Sequence, residues 1–339
     1  MERRDFLKAG LVTGAIAAGG TVAATATKAS AATQSIPLRR LGRTGLDMPL
    51  LGSGGASYGD NHATAYGVFT PEFDDRVAMV RLAYDKGVRY FDTARIYGDS
   101  ESVTGKALHD VRDDVFINSK VMVNTADAVR PSVEKSLEEL GTDRVDAMQL
   151  HGPIVERLPF ETLMEMHAEL DKMRDEGMIR FIGLSGHSRF EKMLELIETE
   201  AFDTLLIQHG YMRKGFNTRH SLEQAEYQEM CLARAHEIDM GIIAMKVMGA
   251  VVFGHNAKNL VPEFDEAEYA LLPRAAIRWA LQDERIDVMT LGLSLPEDLD
   301  ANIAILNGDL AITNEDRLLL ARFAKEAYEA EVIQGMRIV

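Results

Sequence analysis

The chain has 339 residues, of which 46% are hydrophobic and 27% are charged, and its formal net charge at pH 7 is −16. A protein this acidic repels nucleic acid and anionic membrane surfaces, so neither is an expected partner. With a single cysteine, Cys231, the chain can form no internal disulfide and lacks the ligands for an iron–sulfur cluster.

The N-terminus has the features of an export signal. Arg3 and Arg4 stand in a charged head, a mild Ala/Gly/Val run follows, and residues 29–31 form a small-residue cleavage site. The paired arginines indicate the twin-arginine type. A membrane anchor is the alternative, but a span needs about 20 strongly apolar residues, and Gly and Thr dilute this run. We expect a signal peptide over residues 1–31, a short linker over 32–36 and one domain over 37–339.

The predicted signal has consequences for location and charge. The twin-arginine export machinery, which is the partner implied by the signal, carries proteins that are already folded, often with a cofactor inside. We therefore expect an exported, periplasmic protein. Removing residues 1–31 takes away four basic and two acidic side chains, which changes the formal charge from −16 to −18.

After a small hairpin expected over residues 38–51, apolar strands alternate with amphipathic helices. Short, nearly continuous apolar segments predict parallel strands that are buried on both faces. The first strand includes Leu50 and Leu51, and the others are expected at residues 88–91, 115–119, 145–150, 181–184, 204–207, 241–245 and 288–291. Helices are expected at residues 70–86, from about 102, and at 126–140, 160–176, 189–198, 221–236, 272–282 and 296–306.

Eight strand–helix units predict an α/β fold of the (β/α)₈ TIM-barrel type, with an N-terminal β-hairpin and an extra C-terminal helix. A two-domain Rossmann fold would need a G-x-G-x-x-G turn that opens a helix, with an acidic residue about 20 positions further on. Gly52-Ser53-Gly54-Gly55 is the nearest match, and it is more typical of a tight turn at a barrel mouth. The barrel is therefore favoured.

Four side chains suited to proton transfer are expected at the barrel mouth. Asp92, Lys120 and His151 end three successive strands, and Tyr97 lies in the loop after Asp92. Asp92 would pair with Lys120, and this cation would lower the pKa of Tyr97 from its usual value of about 10. Tyr97 would then serve as a general acid towards a carbonyl oxygen, or as a base in reverse. His151 would donate a hydrogen bond to the same oxygen.

Each of the four also has an ordinary structural interpretation. An aspartate after a strand is often a cap, a tyrosine beside a glycine often packs, a strand-end lysine is often solvated, and a lone histidine is often structural. Their placement on consecutive units at one barrel face favours the chemical interpretation. Such a site supports hydride addition to a carbonyl, with the hydride supplied by a bound cofactor.

The sequence around these positions resembles the aldo/keto reductase family, from Pro37 to about Glu331. The shared motifs are Phe91-Asp92-Thr93-Ala94-x-x-Tyr97-Gly98-x-Ser100-Glu101, Ser119-Lys120 and Asp146-x-x-Gln149-Leu150-His151. The resemblance implies that the four side chains are a catalytic tetrad. It also implies NADP(H) bound in an extended form across the barrel mouth, with pro-R hydride delivery to an aldehyde or ketone.

The resemblance further implies a set of cofactor-binding residues. Ser185 and Gln208 would hold the nicotinamide carboxamide, Lys246 stands where many members stack an aromatic ring, and Gly292, Ser294 and Asn302 belong to the adenosine-phosphate and adenine segment. The amides after Ser294 lie at a helix N-terminus, which favours anions independently of the resemblance.

Several positions depart from the family pattern. Gly186 replaces a common asparagine, which removes one carboxamide contact, and Gly292 and Asp298 fall where basic residues often clamp the 2′-phosphate. An aspartate repels a phosphate, so the cofactor is expected to be NADP(H) or NAD(H), with a relaxed or reversed preference. A cation could instead come from His187, Arg189 or Lys258.

The remaining expectations concern the substrate pocket and competing functions. Residues 58–69 and 249–263 are expected to wall the pocket, and His209 and Tyr211 either line the mouth or pack beside the sixth barrel strand. No His/Cys/carboxylate cluster has metal-ligand spacing, so no metal is predicted.

The alternative to a carbonyl reductase is a nucleotide-binding, redox-responsive barrel subunit with little turnover. A sugar-binding or isomerase barrel would need paired carboxylates or metal ligands at strand ends, which the sequence does not show.

Overall fold

Eight parallel strands form a closed barrel in the described part of the chain. The structure is a computed structural model and describes residues 35–61, 71–215, 217–249 and 260–339. The predicted signal peptide, the start of the predicted linker, Lys258 and most of both predicted pocket walls lie outside these ranges. None of the helices within them combines the length and apolar character needed to cross a membrane.

The barrel strands follow one another around the ring in chain order, and the last pairs with the first. They are β3 (Leu51–Gly54), β4 (Tyr90–Asp92), β5 (Phe116–Val121), β6 (Val145–Leu150), β7 (Ile179–Gly186), β8 (Thr204–Gln208), β10 (Gly241–Met245) and β11 (Val288–Leu291). Every pairing between them is parallel. The predicted (β/α)₈ barrel is therefore confirmed.

Helices surround the barrel and cover the outward faces of the strands. They are α1 (Phe73–Asp85), α2 (Ser100–Leu108), α3 (Val129–Leu140), α4 (Gly152–Arg157), α5 (Phe160–Asp175), α6 (Phe190–Ile197), α7 (Leu222–Glu237), α8 (Glu266–Tyr269), α9 (Leu272–Leu281), α10 (Pro296–Leu306), α11 (Asn314–Glu329) and α12 (Glu331–Gln334). Apolar side chains between helices and strands form the larger hydrophobic cluster. Burial on both faces explains why the strands are almost uninterrupted apolar segments.

The inside of the barrel changes from apolar to polar along its axis. Tyr90 and Phe116 belong to an inner apolar cluster, in which their rings stack at 5.2 Å and Phe116 lies 6.1 Å from Phe181. Because side chains alternate along a strand, the residues two positions later point to the same interior. Those residues include Asp92 and Asn118, so the apolar layer leads directly to a polar layer at the carboxyl ends.

The predicted N-terminal hairpin is present and covers the other end of the barrel. β1 (Leu38–Arg40) pairs antiparallel with β2 (Asp47–Pro49), and Leu41 and Met48 belong to the inner cluster. Gly42, which has φ +41°, is required because a Cβ there would lie 2.2 Å from the Gly241 nitrogen. The hairpin therefore closes the amino-terminal end, opposite the polar layer.

The C-terminal segment extends beyond the predicted extra helix. α11 begins with a capping box in which Thr313 and Asp316 bond each other's backbone, and Asp316 also pairs with Arg278 of α9 at 2.9 Å. After α12 the tail forms β12 (Arg337–Ile338), which pairs in parallel with β9 (Thr218–Arg219). This pairing was not predicted from the sequence, because two-residue strands are too short to show a periodicity.

Candidate active site

The carboxyl ends of β4, β5 and β6 bring three of the four predicted side chains together. Asp92 is the last residue of β4, Lys120 lies near the end of β5, and His151 directly follows β6. The strand register places Asp92 beside Asn118 and Lys120 beside Gln149. Asp92, Lys120 and His151 are only 5%, 1% and 5% exposed. The three groups therefore share one interior layer from which water is largely excluded.

Asp92 and Lys120 form the predicted ion pair. Lys120 Nζ donates to Asp92 Oδ1 at 2.6 Å and to the Thr93 carbonyl oxygen at 2.8 Å. Asn118 Nδ2 donates to the same Asp92 oxygen, also at 2.6 Å. Two donors on one carboxylate oxygen fix the direction of that carboxylate, and the carboxylate in turn fixes the ammonium.

Burial disfavours the charged forms of both groups in this pair. It lowers the pKa of Lys120, while the nearby Asp92 carboxylate acts in the opposite direction and raises it. A buried charge left without its partner is strongly destabilising. The pair therefore holds a cation at a position where an isolated lysine would be unfavourable.

Tyr97 lies between the ion pair and the histidine. Its ring centroid is 5.1 Å from Lys120 Nζ and 5.8 Å from the His151 ring, with the two ring planes at 86°. Tyr97 is half-buried, whereas the other three are buried. The structure thus brings all four predicted side chains into one cluster, with the phenol on its more open side.

Ion pairs on both sides hold the turn that carries Tyr97. Asp99 forms a bidentate pair with Arg76 of α1, at 2.5 and 2.9 Å. Glu101 is 1% exposed and accepts from Arg95 at 2.6 Å. Because bidentate pairs restrict geometry as well as contributing energy, the turn is fixed before any substrate binds.

A close backbone approach at Gly59 gives a prediction for this turn. A Cβ on Gly59 would lie 1.8 Å from the Tyr97 carbonyl oxygen, so Gly59→Ala must displace the turn. A misplacement of about 1 Å can cost roughly 100-fold in rate, and we expect carbonyl reduction to fall by about that factor. Steady-state kcat/KM measures the effect.

Gly335→Ala is the matched control, because its new Cβ would meet its nearest atom at an ordinary 3.4 Å. This variant should retain wild-type kcat/KM. Equal rates in the Gly59 variant and the wild type would contradict the positioning role of the turn.

His151 is expected to be neutral at pH 7. Burial lowers its pKa well below the usual value, and the cations Lys120 and Lys246 lower it further. Its Nδ1 is buried and has no hydrogen-bond partner among the described residues. A neutral imidazole beside the Tyr97 ring can donate one hydrogen bond to a substrate oxygen without bringing a charge.

The residues predicted at the nicotinamide end are buried and engaged with the protein. Ser185 Oγ accepts from the Gly152 nitrogen at 3.0 Å. The Gln208 amide donates to the Met212 carbonyl at 3.0 Å and accepts from Gln228 Nε2 at 2.7 Å. These bonds orient both side chains, and the second N–H of Gln208 remains a donor. The cofactor contacts assigned to both residues remain predictions.

Lys246 supplies a positive charge next to the tetrad. It has φ +61°, and its carbonyl oxygen accepts from the Gly249 nitrogen at 2.8 Å, but its ammonium forms no hydrogen bond or ion pair with another described residue. The pKa of Lys246 is lowered to about 8, mainly by burial and to a smaller extent by repulsion from Lys214. The Glu156 carboxylate acts in the opposite direction and raises this pKa. Lys214 is 1% exposed, and the hydrogen bond that its ammonium makes within the described ranges goes to the Gly215 carbonyl, at 3.0 Å. A site with these cations, in a protein of charge −16, fits an anionic dinucleotide.

The predicted adenosine end has mixed electrostatics. Ser294 is exposed and precedes α10, on which Asn302 is 7% exposed. The first turn of α10 contains Glu297 and Asp298. The helix N-terminus attracts an anion, whereas the two carboxylates repel one. Gly292 adds no charge, so these positions provide no cation for the 2′-phosphate of NADP(H).

Two of the other cations considered from sequence do not supply a free charge here. Burial lowers the pKa of His187 well below its usual value, so its imidazole is neutral at pH 7. Arg189 pairs with Glu191 at 2.5 Å.

His209 was expected either to line the barrel mouth or to pack beside the sixth barrel strand. In the structure its ring packs on Trp279, with 5.1 Å between the ring centroids. The described residues contain no cluster of three or more potential metal ligands.

Several residues of the site were not predicted from the sequence. Asn118 stands two positions before Lys120, and Gln149 two positions before His151, so alternation along the strands would have placed both in the interior. The Gln149 amide is fully buried without a hydrogen-bond partner among the described residues. Lys214 lies in an irregular loop, and no sequence signal distinguishes it from a surface lysine.

Buried neutral histidines predict that stability increases with pH. Burial lowers the pKa of five of them, to about 4 for His220 and to lower values than usual for His151, His167, His187 and His209. Below the unfolded pKa of about 6.5, the unfolded chain binds protons that the folded protein does not. Lowering the pH from 7 to 5 should therefore reduce the free energy of unfolding by about 2 kcal/mol through His220 alone.

Asp287 and Glu156 act in the opposite direction, because burial raises the pKa of Asp287 to about 6 and also raises that of Glu156. We expect the five histidines to outweigh these two carboxyl groups, so the free energy of unfolding measured by urea denaturation should be lower at pH 5 than at pH 7. His220→Gln should flatten this dependence. An equal or higher free energy of unfolding at pH 5 would contradict the burial of neutral imidazoles.

Comparisons with known proteins agree with this fold and show the family of the chain. The model of the Aldo/keto reductase family matches residues 50–317. L-Galactose dehydrogenase of Arabidopsis thaliana is 29% identical over 300 residues, covering 79% of this chain and 88% of the relative. L-Glyceraldehyde 3-phosphate reductase of Escherichia coli O157:H7 is 23% identical over 322 residues, covering 82% and 89%. The solved structure of an aldo-keto reductase from Klebsiella pneumoniae in complex with NADPH superposes with TM-score 0.64 at 21% identity, covering 85% of this chain and 95% of that one.

Proposed function

Because this chain belongs to the aldo/keto reductase family, we propose that it is an NAD(P)(H)-dependent oxidoreductase that reduces an aldehyde or ketone to an alcohol, or runs the reverse reaction. The observation that carries the proposal is the cluster at the carboxyl ends of β4 to β6. There Tyr97 lies beside the Lys120 ammonium and the edge of the His151 ring. A carbonyl oxygen placed between the phenol and the imidazole would meet two hydrogen-bond donors at once.

Each side chain has one role in this chemistry. When bound at this site, a nicotinamide cofactor would supply or accept the hydride at carbon. The Tyr97 hydroxyl donates its proton to the carbonyl oxygen, or removes it from the alcohol in reverse. The nearby Lys120 ammonium stabilises the phenolate that remains after proton donation. His151, being neutral, donates a hydrogen bond to the same oxygen as negative charge develops there.

The cofactor proposal follows from charge and from the family. Lys246 and its neighbour Lys214 would attract the phosphates of NADP(H) or NAD(H), and Ser185 and Gln208 would orient the carboxamide. Glu297 and Asp298 would repel a 2′-phosphate, so we propose a relaxed or reversed preference for NADP(H) over NAD(H). The Klebsiella relative binds NADPH, which supports a nicotinamide cofactor without deciding that preference.

Turnover with a panel of aldehydes tests the proposal. Oxidation of NADPH and of NADH at 340 nm, with purified mature protein, should depend on the aldehyde, and the two cofactors should give comparable kcat/KM. The second candidate, a redox-responsive subunit, predicts cofactor binding with little turnover for every carbonyl. Tight binding combined with no turnover across the panel would favour that subunit and overturn the reductase.

We also propose that residues 1–31 direct the folded protein through the twin-arginine machinery to the periplasm. The pair Arg3-Arg4 in a charged head carries this proposal. Replacing both with lysine should leave the protein in the cytoplasm at its uncleaved length, because the charge is kept while the motif is lost. Cell fractionation and immunoblotting measure the result, and Lys8→Arg is the control. Unchanged export of the doubly substituted protein would contradict this route.

A further inference from the structure

A cavity separate from the tetrad lies beneath the C-terminal tail. It has a volume of about 350 Å³, which is within the range of small-molecule sites. It is lined by Tyr211, Arg213, Arg219, His220, Tyr328 and Ile338. None of these residues belongs to the tetrad or to the predicted cofactor contacts.

The walls of this cavity are built from paired backbone segments. Lys214 and Arg219 form an antiparallel bridge, the His220 nitrogen donates to the Arg213 carbonyl at 3.0 Å, and β12 pairs along the other edge of β9. These bonds fix the cavity side chains relative to one another.

The cavity is cationic in an otherwise acidic protein. No carboxylate lines it, and neither Arg213 nor Arg219 has an ion pair within the described ranges. The Arg219 guanidinium donates only to the Gln334 carbonyl, at 3.2 Å, and its Nε is buried without a partner among the described residues. Guanidinium groups left free of carboxylates are suited to binding a tetrahedral oxyanion.

The tautomer of His220 narrows the class of ligand. Its Nε2 lies 2.8 Å from the His187 carbonyl oxygen, and because a carbonyl only accepts, Nε2 carries the proton. In the neutral ring Nδ1 is then an acceptor. It has no partner among the described residues, although His220 is only 8% exposed. The missing partner is a donor, and a phosphate monoester monoanion supplies both acceptor oxygens and a P–OH donor.

We propose that this cavity binds an organic phosphate monoester. Its oxygens accept from Arg213 and Arg219, its P–OH donates to His220 Nδ1, and its apolar body contacts Tyr328 and Ile338. Near pH 6, where about half of a phosphate monoester still carries its P–OH, sulfonates and carboxylates offer oxygens but no proton, so they lack the last hydrogen bond. The site is separate from the proposed reductase chemistry, and binding there requires no turnover.

Calorimetric titration with phenyl phosphate tests the proposal. The full-length protein is saturated with NADP⁺ so that its cofactor phosphate sites are filled, at about pH 6, near the second pKa of a phosphate monoester. Phenyl phosphate should bind, and benzenesulfonate, which has the same shape without the P–OH, should bind at least about tenfold more weakly. Arg213→Gln combined with Arg219→Gln should weaken phenyl phosphate binding by at least about tenfold.

Two further variants separate this site from general effects. Arg317→Gln removes one positive charge, as each of the two cavity substitutions does, but on α11 about 16 Å along the helix from Tyr328, and this variant should bind within about twofold of wild type. Ile338→Phe adds a bulkier side chain at the cavity edge while keeping the cavity's charges, and should weaken phenyl phosphate binding with an unchanged melting temperature.

Three results would overturn the proposal. The first is no binding by the wild type below about 10 mM, and the second is equal binding by the double arginine variant. The third is equal binding of benzenesulfonate, which would remove the role of His220. Failure of carbonyl reduction in a separate assay would leave all these outcomes unaffected.

Discussion

Tyr97→Phe should reduce kcat/KM for carbonyl reduction by about 10²- to 10⁴-fold, the usual contribution of a positioned general acid. The substitution removes only the hydroxyl, so the ring contacts with Lys120 at 5.1 Å and His151 at 5.8 Å are kept. Cofactor affinity and melting temperature should therefore be close to wild type. Steady-state kinetics and cofactor titration on the same preparation measure the two effects separately.

Tyr84→Phe is a suitable control for this variant. Tyr84 Oη donates to Asp114 at 2.9 Å on the protein exterior, so the same atom is removed without touching the site. The control should retain full activity. If Tyr97→Phe reduced aldehydes as fast as wild type, another group would have to supply the proton, and the role given to Tyr97 would be wrong.

Lys120→Met should damage both stability and activity. It leaves the Asp92 carboxylate in the barrel interior with Asn118 as its remaining side-chain donor. Breaking a buried pair by removing one partner typically costs about 3–5 kcal/mol. The cation beside Tyr97 is also lost, so the phenolate that follows proton donation is less stable. Urea denaturation and kcat/KM measure the two losses.

A second variant separates these losses. Combining Asp92→Asn with Lys120→Met removes both charges, so part of the lost stability should return while activity stays low. If the double variant were no more stable than Lys120→Met, the destabilisation would not arise from an unpaired carboxylate. If Lys120→Met were fully active, the electrostatic role of the ammonium would be excluded.

Three of the four members of the candidate cluster were predictable because each lies at the end of a short apolar strand. Asp92, Lys120 and His151 appear at strand ends, and in a parallel barrel those ends share one face. Alternation along the strands then fixes which side chains point inward, and the stacked rings of Tyr90 and Phe116 occupy the layer below. The strand bounds were less accurate, since β7 extends over Ile179–Gly186 rather than 181–184.

Other features depend on contacts that no local pattern encodes. The burial of Lys214, the tautomer of His220 and the pairing of the C-terminal tail with β9 arise from segments far apart in the chain. The electrostatic state of His187 is a further example, because a histidine considered as a cation from sequence becomes neutral through burial. Such properties follow from three-dimensional packing and desolvation.

The most direct test of the central claim traces the hydride. The wild-type protein is incubated with an aldehyde and NADPH carrying deuterium in the pro-R position at C4, and the alcohol is analysed by mass spectrometry. We predict one deuterium at the carbinol carbon in the wild-type product, formed at a rate that Tyr97→Phe lowers by about 10²-fold or more. Alcohol without deuterium, or deuterated alcohol formed equally fast by both proteins, would contradict the account.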